Sequence, residues 1–297
     1  MTDRLNQQIA SRLREAADLM QSQGANPFRV NAYRRAADTV AGLERDIKDI
    51  AETEGEAGLT ALEGIGTSIA AAILQMVRTG RWAQLERLRG AIDPEKLFRS
   101  VPGIGPETAR RIHETLQVDT LEALEIAAHD GRLESLPGIG PRRAAMMRAA
   151  LADMLARTRG PRPTPVREPD VAVLLDVDRE YREKAAADKL PKIAPKRFNP
   201  KGEAWLPVLH TERGDWHFTV LFSNTARAHE LGLVRDWVVL YFSADRAPEG
   251  QRTVVTETRG ALAGRRVVRG READCRVHYG EAAGPAPARR PRRRAKA

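Results

Sequence analysis

The sequence predicts a mostly helical N-terminal half, an α+β C-terminal domain and a disordered basic tail. Three observations carry that reading. Up to about residue 157, apolar residues recur at helical spacing and β-branched runs are scarce. From 171 onward the texture changes to short β-branched or aromatic runs, VAVLLDV, WHFTVLF, DWVVLYF, RTVVTET and RRVVRG, which read as strands. In the first half one pattern, apolar-x-G-I-G followed by a helix, occurs three times: LEGIGTSIAAAI at 62–73, VPGIGPETARRI at 101–112 and LPGIGPRRAAMM at 136–147.

Taken in order, residues 3–23 place Leu5, Ile9, Leu13, Ala16, Ala17 and Met20 at spacings of three and four, which predicts a helix. Asn26-Pro27 breaks it. FRVNAYRRAADTVAGL then predicts a second helix with Ala32, Ala36, Val40 and Leu43 on one face. Short helices punctuated by Gly and Pro continue to about Ala156. The stretch RTRGPRPTPVREP reads as a stiff, extended linker. Beyond it, REYREKAAADKL and NTARAHELG look helical among the predicted strands. The expected division is a small helical domain with one hairpin at 1–90, a tandem hairpin domain at 91–157, a proline-rich linker at 158–170, the α+β domain at 171–279 and the tail at 280–297.

Composition narrows the function. The 297 residues suit about two domains. No apolar run approaches the roughly 18 residues of a membrane span, and MTDRLNQQIA lacks the basic-then-apolar start of a secretory signal. Cys275 is the single cysteine, which excludes an internal disulfide or a cysteine-based zinc site and fits a reducing cytoplasm. The net charge of +9 is unevenly spread. Residues 1–160 hold 22 basic and 22 acidic side chains, whereas residues 285–297 hold six basic residues and no acid. Any polyanion bound by the repeats is therefore not held by a general positive surface.

The G-I-G pattern has a physical reading. A helix ends before the first glycine, which takes positive φ at little cost. Pro106 or Pro141 starts the next helix, where a missing N–H is no loss. The isoleucine between the glycines points inward and pins two helices into a hairpin. The tip presents backbone N–H groups at a helix N-terminus, a natural anion site. Without side chains in the way, a phosphodiester can approach closely. The candidate DNA-binding positions are thus Gly64, Gly66 and Thr67; Gly103, Gly105, Thr108 and Arg110; and Gly138, Gly140, Arg142 and Arg143. Copies two and three lie 35 residues apart with a connecting helix between them, an arrangement that sets two tips side by side. Two such tips hold phosphates on both strands of a duplex and read no sequence. The third copy is the richest in base, with Arg142, Arg143 and Arg148 followed by Arg157, Arg159 and Arg162 and only Asp153 opposing them. The first copy has no basic residue from Leu62 to Val77.

The ordered set NPFRVNAYRRAADTV, LTALEGIGTSIAAAILQMVRTG and LFRSVPGIGPETARRIHETLQVDTLEAL resembles the non-catalytic head of family X DNA polymerases, across about residues 3–157. The resemblance implies a small domain that meets the 5′-phosphate side of gapped DNA, with Arg29 and Tyr33 as contacts, followed by a fingers-like tandem hairpin domain. Tyr33 reads equally as a core tyrosine. It also implies Na⁺ or K⁺ on backbone carbonyls of Thr60, Leu62 and Ile65, and of Arg99, Val101 and Ile104. Two activities of that family do not carry over. The position of the lyase's Schiff-base lysine is Ala72, and its companion lysines fall on Ser68 and Gln84, with Arg81 nearby. The Gly-Ser turn and helix that precede the polymerase Asp-x-Asp strand have no counterpart; only the linker precedes LLDVD, although Asp176 and Asp178 remain nominal metal ligands.

Residues 171–279 resemble no family recognised from the sequence. His210 and Asp215 flank a turn at Gly214 and would converge there with His217 as metal ligands or acid–base groups. The alternative is a hairpin with satisfied histidines and a helix capped by Ser223-Asn224-Thr225. Trp205, Trp216, Trp237, Phe218 and Phe222 read as core or as a base-stacking platform, and APKRFNPKGEAW as a basic loop.

The expected function is a sequence-non-specific DNA-binding protein of the cytoplasm and nucleoid. Its partners would be duplex, gapped or nicked DNA and a repair or replication protein, with no membrane and no required cofactor. The alternatives are a metal-dependent nuclease or other DNA-processing enzyme with chemistry in 171–279, and an adaptor for a repair protein.

Overall fold

A computed structural model describes residues 2–91, 93–159, 167–244 and 247–280. Most of the expected linker and all but the first residue of the expected tail lie outside them, as do the side chains of Arg157, Arg159 and Arg162. The helical half comprises α1 (Thr2–Ser22), α2 (Pro27–Ala41), α3 (Ile47–Thr53), α4 (Gly55–Thr60), α5 (Thr67–Thr79), α6 (Ala83–Leu88), α7 (Pro94–Phe98), α8 (Pro106–Leu116), α9 (Leu121–His129) and α10 (Pro141–Arg159). Asn26 caps α2 by accepting from the Phe28 N–H, with Pro27 in the first turn, so the predicted break is also the next helix's start.

Two cores stabilise this half. The first gathers Ile9, Leu13, Met20, Val40, Ile50, Ile73 and Leu88. The second gathers Phe98, Ile112, Leu124, Leu136, Met147 and Leu151. Each hairpin isoleucine belongs to one of them.

The C-terminal domain is an antiparallel meander in the order β1 (Lys192–Ile193), β2 (Leu206–Arg213), β3 (Trp216–Phe222), β4 (Val238–Ala244), β5 (Ala247–Thr256) and β6 (Arg266–Val268), with α11 (Val171–Ala186), α12 (Ala226–Glu230) and α13 (Glu272–His278). One expectation fails here. VAVLLDV opens α11 and is not a strand. A seven-residue apolar run cannot by itself separate a strand from a buried helix. The deciding residues lie beyond it: Val171, Leu174, Leu175, Val177, Asp178 and Tyr181 are all buried, a helical stripe that continues into REYREK.

Both faces of the sheet are covered, which explains why DWVVLYF shows no polar alternation. Cross-strand neighbours share a face. The row Thr211, Phe218, Phe242 and Gly250 faces α11; a Cβ on Gly250 would lie 2.3 Å from the Phe242 ring, so only glycine fits. The row His210, Thr219, Tyr241 and Gln251 faces the helical half. Trp216, Phe218 and Phe222 are buried, and Trp205 packs against that core only partly covered. Trp216, Phe218 and Phe222 are core residues, so a stacking platform built on them is excluded. Trp237 is partly covered.

Candidate nucleic-acid interface

Three tips share one backbone form. Gly64, Gly103 and Gly138 adopt φ of +75°, +85° and +79°, the left-handed region that favours glycine. The following isoleucines, Ile65, Ile104 and Ile139, are buried. Their N–H groups donate to Leu62, Val101 and Leu136 carbonyls, which closes each turn. Helices then begin at Thr67, Pro106 and Pro141. The third copy differs before its tip: the leading arm is a short turn in which Leu136 N–H donates to Leu133, not a helix.

The second glycine of each tip is more informative. Gly66 and Gly105 have φ of −82° and −84°, open to any residue. A Cβ on Gly66, Gly105 or Gly140 would meet nothing within 4 Å. Neither backbone strain nor packing inside the chain requires glycine at these positions. All three are exposed, at the head of a helix whose first N–H groups lack intrahelical partners.

The second and third tips are held together. The Arg143 guanidinium donates to the Gly103 carbonyl (3.1 Å), the Thr108 hydroxyl (3.2 Å) and its own tip's Gly138 carbonyl (3.2 Å). Arg111 reaches across to the Pro137 carbonyl. Arg142 is exposed beside them. Arg110 is paired with both Glu107 and Glu114, and it holds the Glu107 carboxyl below the usual carboxylate range. At the first tip Thr39 donates to the Glu63 carbonyl and no basic side chain follows the turn until Arg78.

Arg29 is half-buried near Ser243 at the domain seam. Tyr33 is 2% exposed, donates its hydroxyl to Gln84 and packs on Trp82. It is a core tyrosine, so the phosphate-contact reading fails for it. Ala72 is buried and Ser68 half-buried, while Arg81 makes a two-point pair with Glu86.

The C-terminal candidates do not assemble. Asp176 and Asp178 lie on α11, not at a strand end. Asp176 pairs with Arg213 and Arg179, which hold its carboxyl low, Arg213 foremost. Asp178 is fully buried between Arg266 and Arg182. The Gly214 hairpin forms, yet His210 and Asp215 point apart in their contacts: His210 bonds Gln23 and Thr219, whereas Asp215 is exposed beside Arg167. His217 pairs with Glu212. Burial, with the positive charges of Arg29 and Arg87, lowers His210 to about 3, so its ring is neutral. No metal-binding cluster of His, Cys, Asp or Glu occurs among the described residues. His229 bonds Asn224, and Thr225 caps α12.

A buried polar seam was missed by sequence reasoning. Arg87, 2% exposed, pairs with Glu249 and lies over the Tyr241 ring at 3.7 Å. The Tyr241 hydroxyl donates to Asp119, whose other oxygen is 3.0 Å from His113 Nε2. Gln251 accepts from the Asp119 N–H and donates to the Gln117 carbonyl. Burial opposes charge on Asp119, but His113, Tyr241 and Arg87 together keep it low. In sequence, LERLRG and HETLQVD look like ordinary charged helix ends.

Residues 4–82 match the helix-hairpin-helix domain and residues 95–153 the SAM-like helix-hairpin-helix tandem. These matches, with the three tips, place the N-terminal half among helix-hairpin-helix modules, a class that binds DNA. The chain is also 31% identical over 130 residues to DNA polymerase/3′-5′ exonuclease PolX of Bacillus subtilis (strain 168). That similarity covers 43% of this chain and spans 22% of the relative's length. The resemblance to family X helix-hairpin-helix domains therefore holds for the N-terminal half. No helix among the described residues is long and apolar enough to cross a membrane.

Proposed function

We propose that this chain is a sequence-non-specific DNA-binding protein of DNA repair or maintenance. Its second and third tips grip the two strands of a duplex, and its small domain adds contact where the duplex is nicked or gapped. The observation that carries this reading is the set of glycines the fold does not need. Gly105 and Gly140 stand in open space at ordinary φ, on adjacent tips joined by Arg143. Close approach of a sugar-phosphate backbone gives them a reason. Bare amides bind phosphate without side-chain charge, which fits a half with equal numbers of acids and bases.

On the same reading, a monovalent cation, Na⁺ or K⁺, would sit on the carbonyls of Thr60, Leu62 and Ile65 and of Arg99, Val101 and Ile104. The Leu62 and Val101 oxygens each accept one turn bond and keep a second lone pair. Such a cation would add positive charge beneath a bound phosphate. In the C-terminal domain, Asp176 and Asp178 are held by arginines and both ring nitrogens of His210 are bonded, which favours binding over chemistry there.

The test is binding to random-sequence continuous, nicked, gapped and single-stranded DNA of one length, with Gly105→Leu and Gly140→Leu. Loss of duplex affinity in the folded variants, alike for all sequences, is expected. Unchanged affinity would remove the tips as the binding surface, and affinity confined to one sequence would remove non-specificity. Product formed from nicked or gapped DNA with Mg²⁺ or Mn²⁺, and lost on His217→Ala or Asp176→Ala, would restore the enzymatic alternative.

A further inference from the structure

The seam joins the C-terminal sheet to both helical modules at once. Arg87 comes from α6, in the module of the first tip. His113, Gln117 and Asp119 come from α8 and the residues after it, in the module of the other two tips. They meet on Tyr241 and Gln251, neighbours across β4 and β5. The Tyr241 ring carries Arg87 while its hydroxyl bonds Asp119, so a single side chain touches both modules.

Two further lines of contact flank this centre. On one side, Gln23, Asn26 and Arg29 of the first module bond His210, Glu212 and Ser243. On the other, the 194–197 segment bridges the modules. Lys196 N–H donates to the Gly90 carbonyl, and Arg197 pairs with Glu95 and bonds His113. The fit at Gly90 is tight: a Cβ there would lie 2.9 Å from the Ala194 carbonyl oxygen. α6 ends at Leu88 and α7 begins at Pro94, and α5 of the first module packs against α10 of the second.

We propose that residues 171–280 form a brace, in which Tyr241 and Gln251 fix the angle between the first tip and the second and third tips. That angle selects the shape of DNA the chain prefers, an inference that rests on the DNA-binding reading above. A continuous duplex engages the joined pair of tips. DNA that bends freely at a break also reaches the first module without the elastic cost of bending an intact duplex. A loose brace would let the modules move independently and remove that preference, while the joined pair, tied by Arg143 and Arg111, would still hold duplex.

The experiment uses the full chain with spin labels at exposed Ser11 and Ser135, replaced by cysteine; Cys275 is buried. Distance distributions and affinities are compared for the parent chain, Tyr241→Phe, and Tyr241→Phe with Gln251→Ala, on nicked and continuous duplex of one sequence. The brace predicts one narrow distance in the parent and a broad one in the double variant. It also predicts a nicked-over-continuous preference that falls by about fivefold or more, the lower end of ordinary coupling between sites, at unchanged continuous-duplex affinity. A distance that stays narrow in the double variant overturns it, as does broadening with an unchanged preference. If the double variant does not fold, Tyr241→Phe alone decides, since it keeps the ring under Arg87 and removes only the bond to Asp119. A parent chain that binds no DNA removes the DNA-binding reading, while its distances still judge the brace.

Discussion

Two polar surfaces of this molecule are built on opposite rules. At the tips, glycines stand where the fold has room for side chains, and the helix N-termini are left open to solvent. At the seam, charges are buried or half-buried and nearly all matched: Arg87 with Glu249, Asp119 with His113 and Tyr241, Arg197 with Glu95. Only Arg87 Nε and Nη1 and Gln117 Oε1 lack a partner among the described buried atoms. The contrast separates binding from structure. The tips leave the first N–H groups of their helices without internal partners, whereas the seam pairs most of its own polar groups. Residue type alone does not tell the two apart, because His210, a residue type common in catalytic sites, lies bonded to Gln23 in the seam.

The largest expected effect tests the structural side. Asp119→Ala leaves the Tyr241 hydroxyl and the His113 ring without their shared buried partner. Leaving two buried hydrogen-bonding groups unpaired costs about 1–3 kcal/mol for each. Chemical denaturation should show a loss of that order. A change below about 1 kcal/mol would mean that the seam is a loose contact and would end the contrast.

Next in size is the binding side. Gly105→Leu with Gly140→Leu should weaken duplex affinity about a hundredfold, or about 2.8 kcal/mol, with the melting temperature held. Gly66→Leu at the first tip should change continuous-duplex affinity less than about threefold, since that tip lacks the Arg143 tie and no basic residue follows it in its helix until Arg78. Equal losses at all three tips, read by fluorescence anisotropy, would erase the distinction between them.

A smaller effect again tests burial at the seam. His210 is held near 3 in the folded chain against an ordinary 6.5. Between those values the unfolded chain binds the extra proton. Its contribution to stability is therefore complete above pH 6.5 and is lost as pH falls toward 3. The slope is at most about 1.4 kcal/mol per pH unit. His210→Asn should flatten that part of the stability profile. An identical acid limb in both proteins would show that the imidazole is open to protonation when folded.

How much of this was legible in the sequence follows from locality. The tips were legible because glycine, proline and isoleucine act on their own backbone within six residues. Gly103 and Gly138 took the positive φ they were assigned, and Ile104 and Ile139 went inward. The strands WHFTVLF and DWVVLYF were legible for the same reason. VAVLLDV was misread because its period appears only when Tyr181 and Asp178 are counted with it. The seam was illegible. Tyr241 and Asp119 are 122 residues apart, and a lone arginine in a helix end carries no mark of where it will be buried. His210 and Asp215 failed for a further reason: Asp215 sits exposed in the turn itself, whereas His210 lies back along β2 and bonds Gln23 of the helical half.

The smallest effect is the sharpest test of what the open glycines are for. Gly105→Ala and Gly140→Ala place a methyl where nothing lies within 4 Å. At Gly105 the φ is one that alanine adopts freely, so the substitution reduces the freedom of the unfolded chain and strains nothing when folded. Both sites open a helix, where alanine caps less well than glycine by about 1 kcal/mol. That loss offsets the roughly 0.4–1 kcal/mol gained from the stiffer unfolded chain, so each change should leave stability within about 1 kcal/mol of the parent. The same change at Gly103, at φ +85°, should lower it by about 1–2 kcal/mol. If binding is why Gly105 and Gly140 remain glycine, the alanine variants should bind duplex measurably more weakly than the parent. Variants that bind equally well would leave these two glycines as helix caps, and the tips would then be turns of the fold with no special claim on DNA.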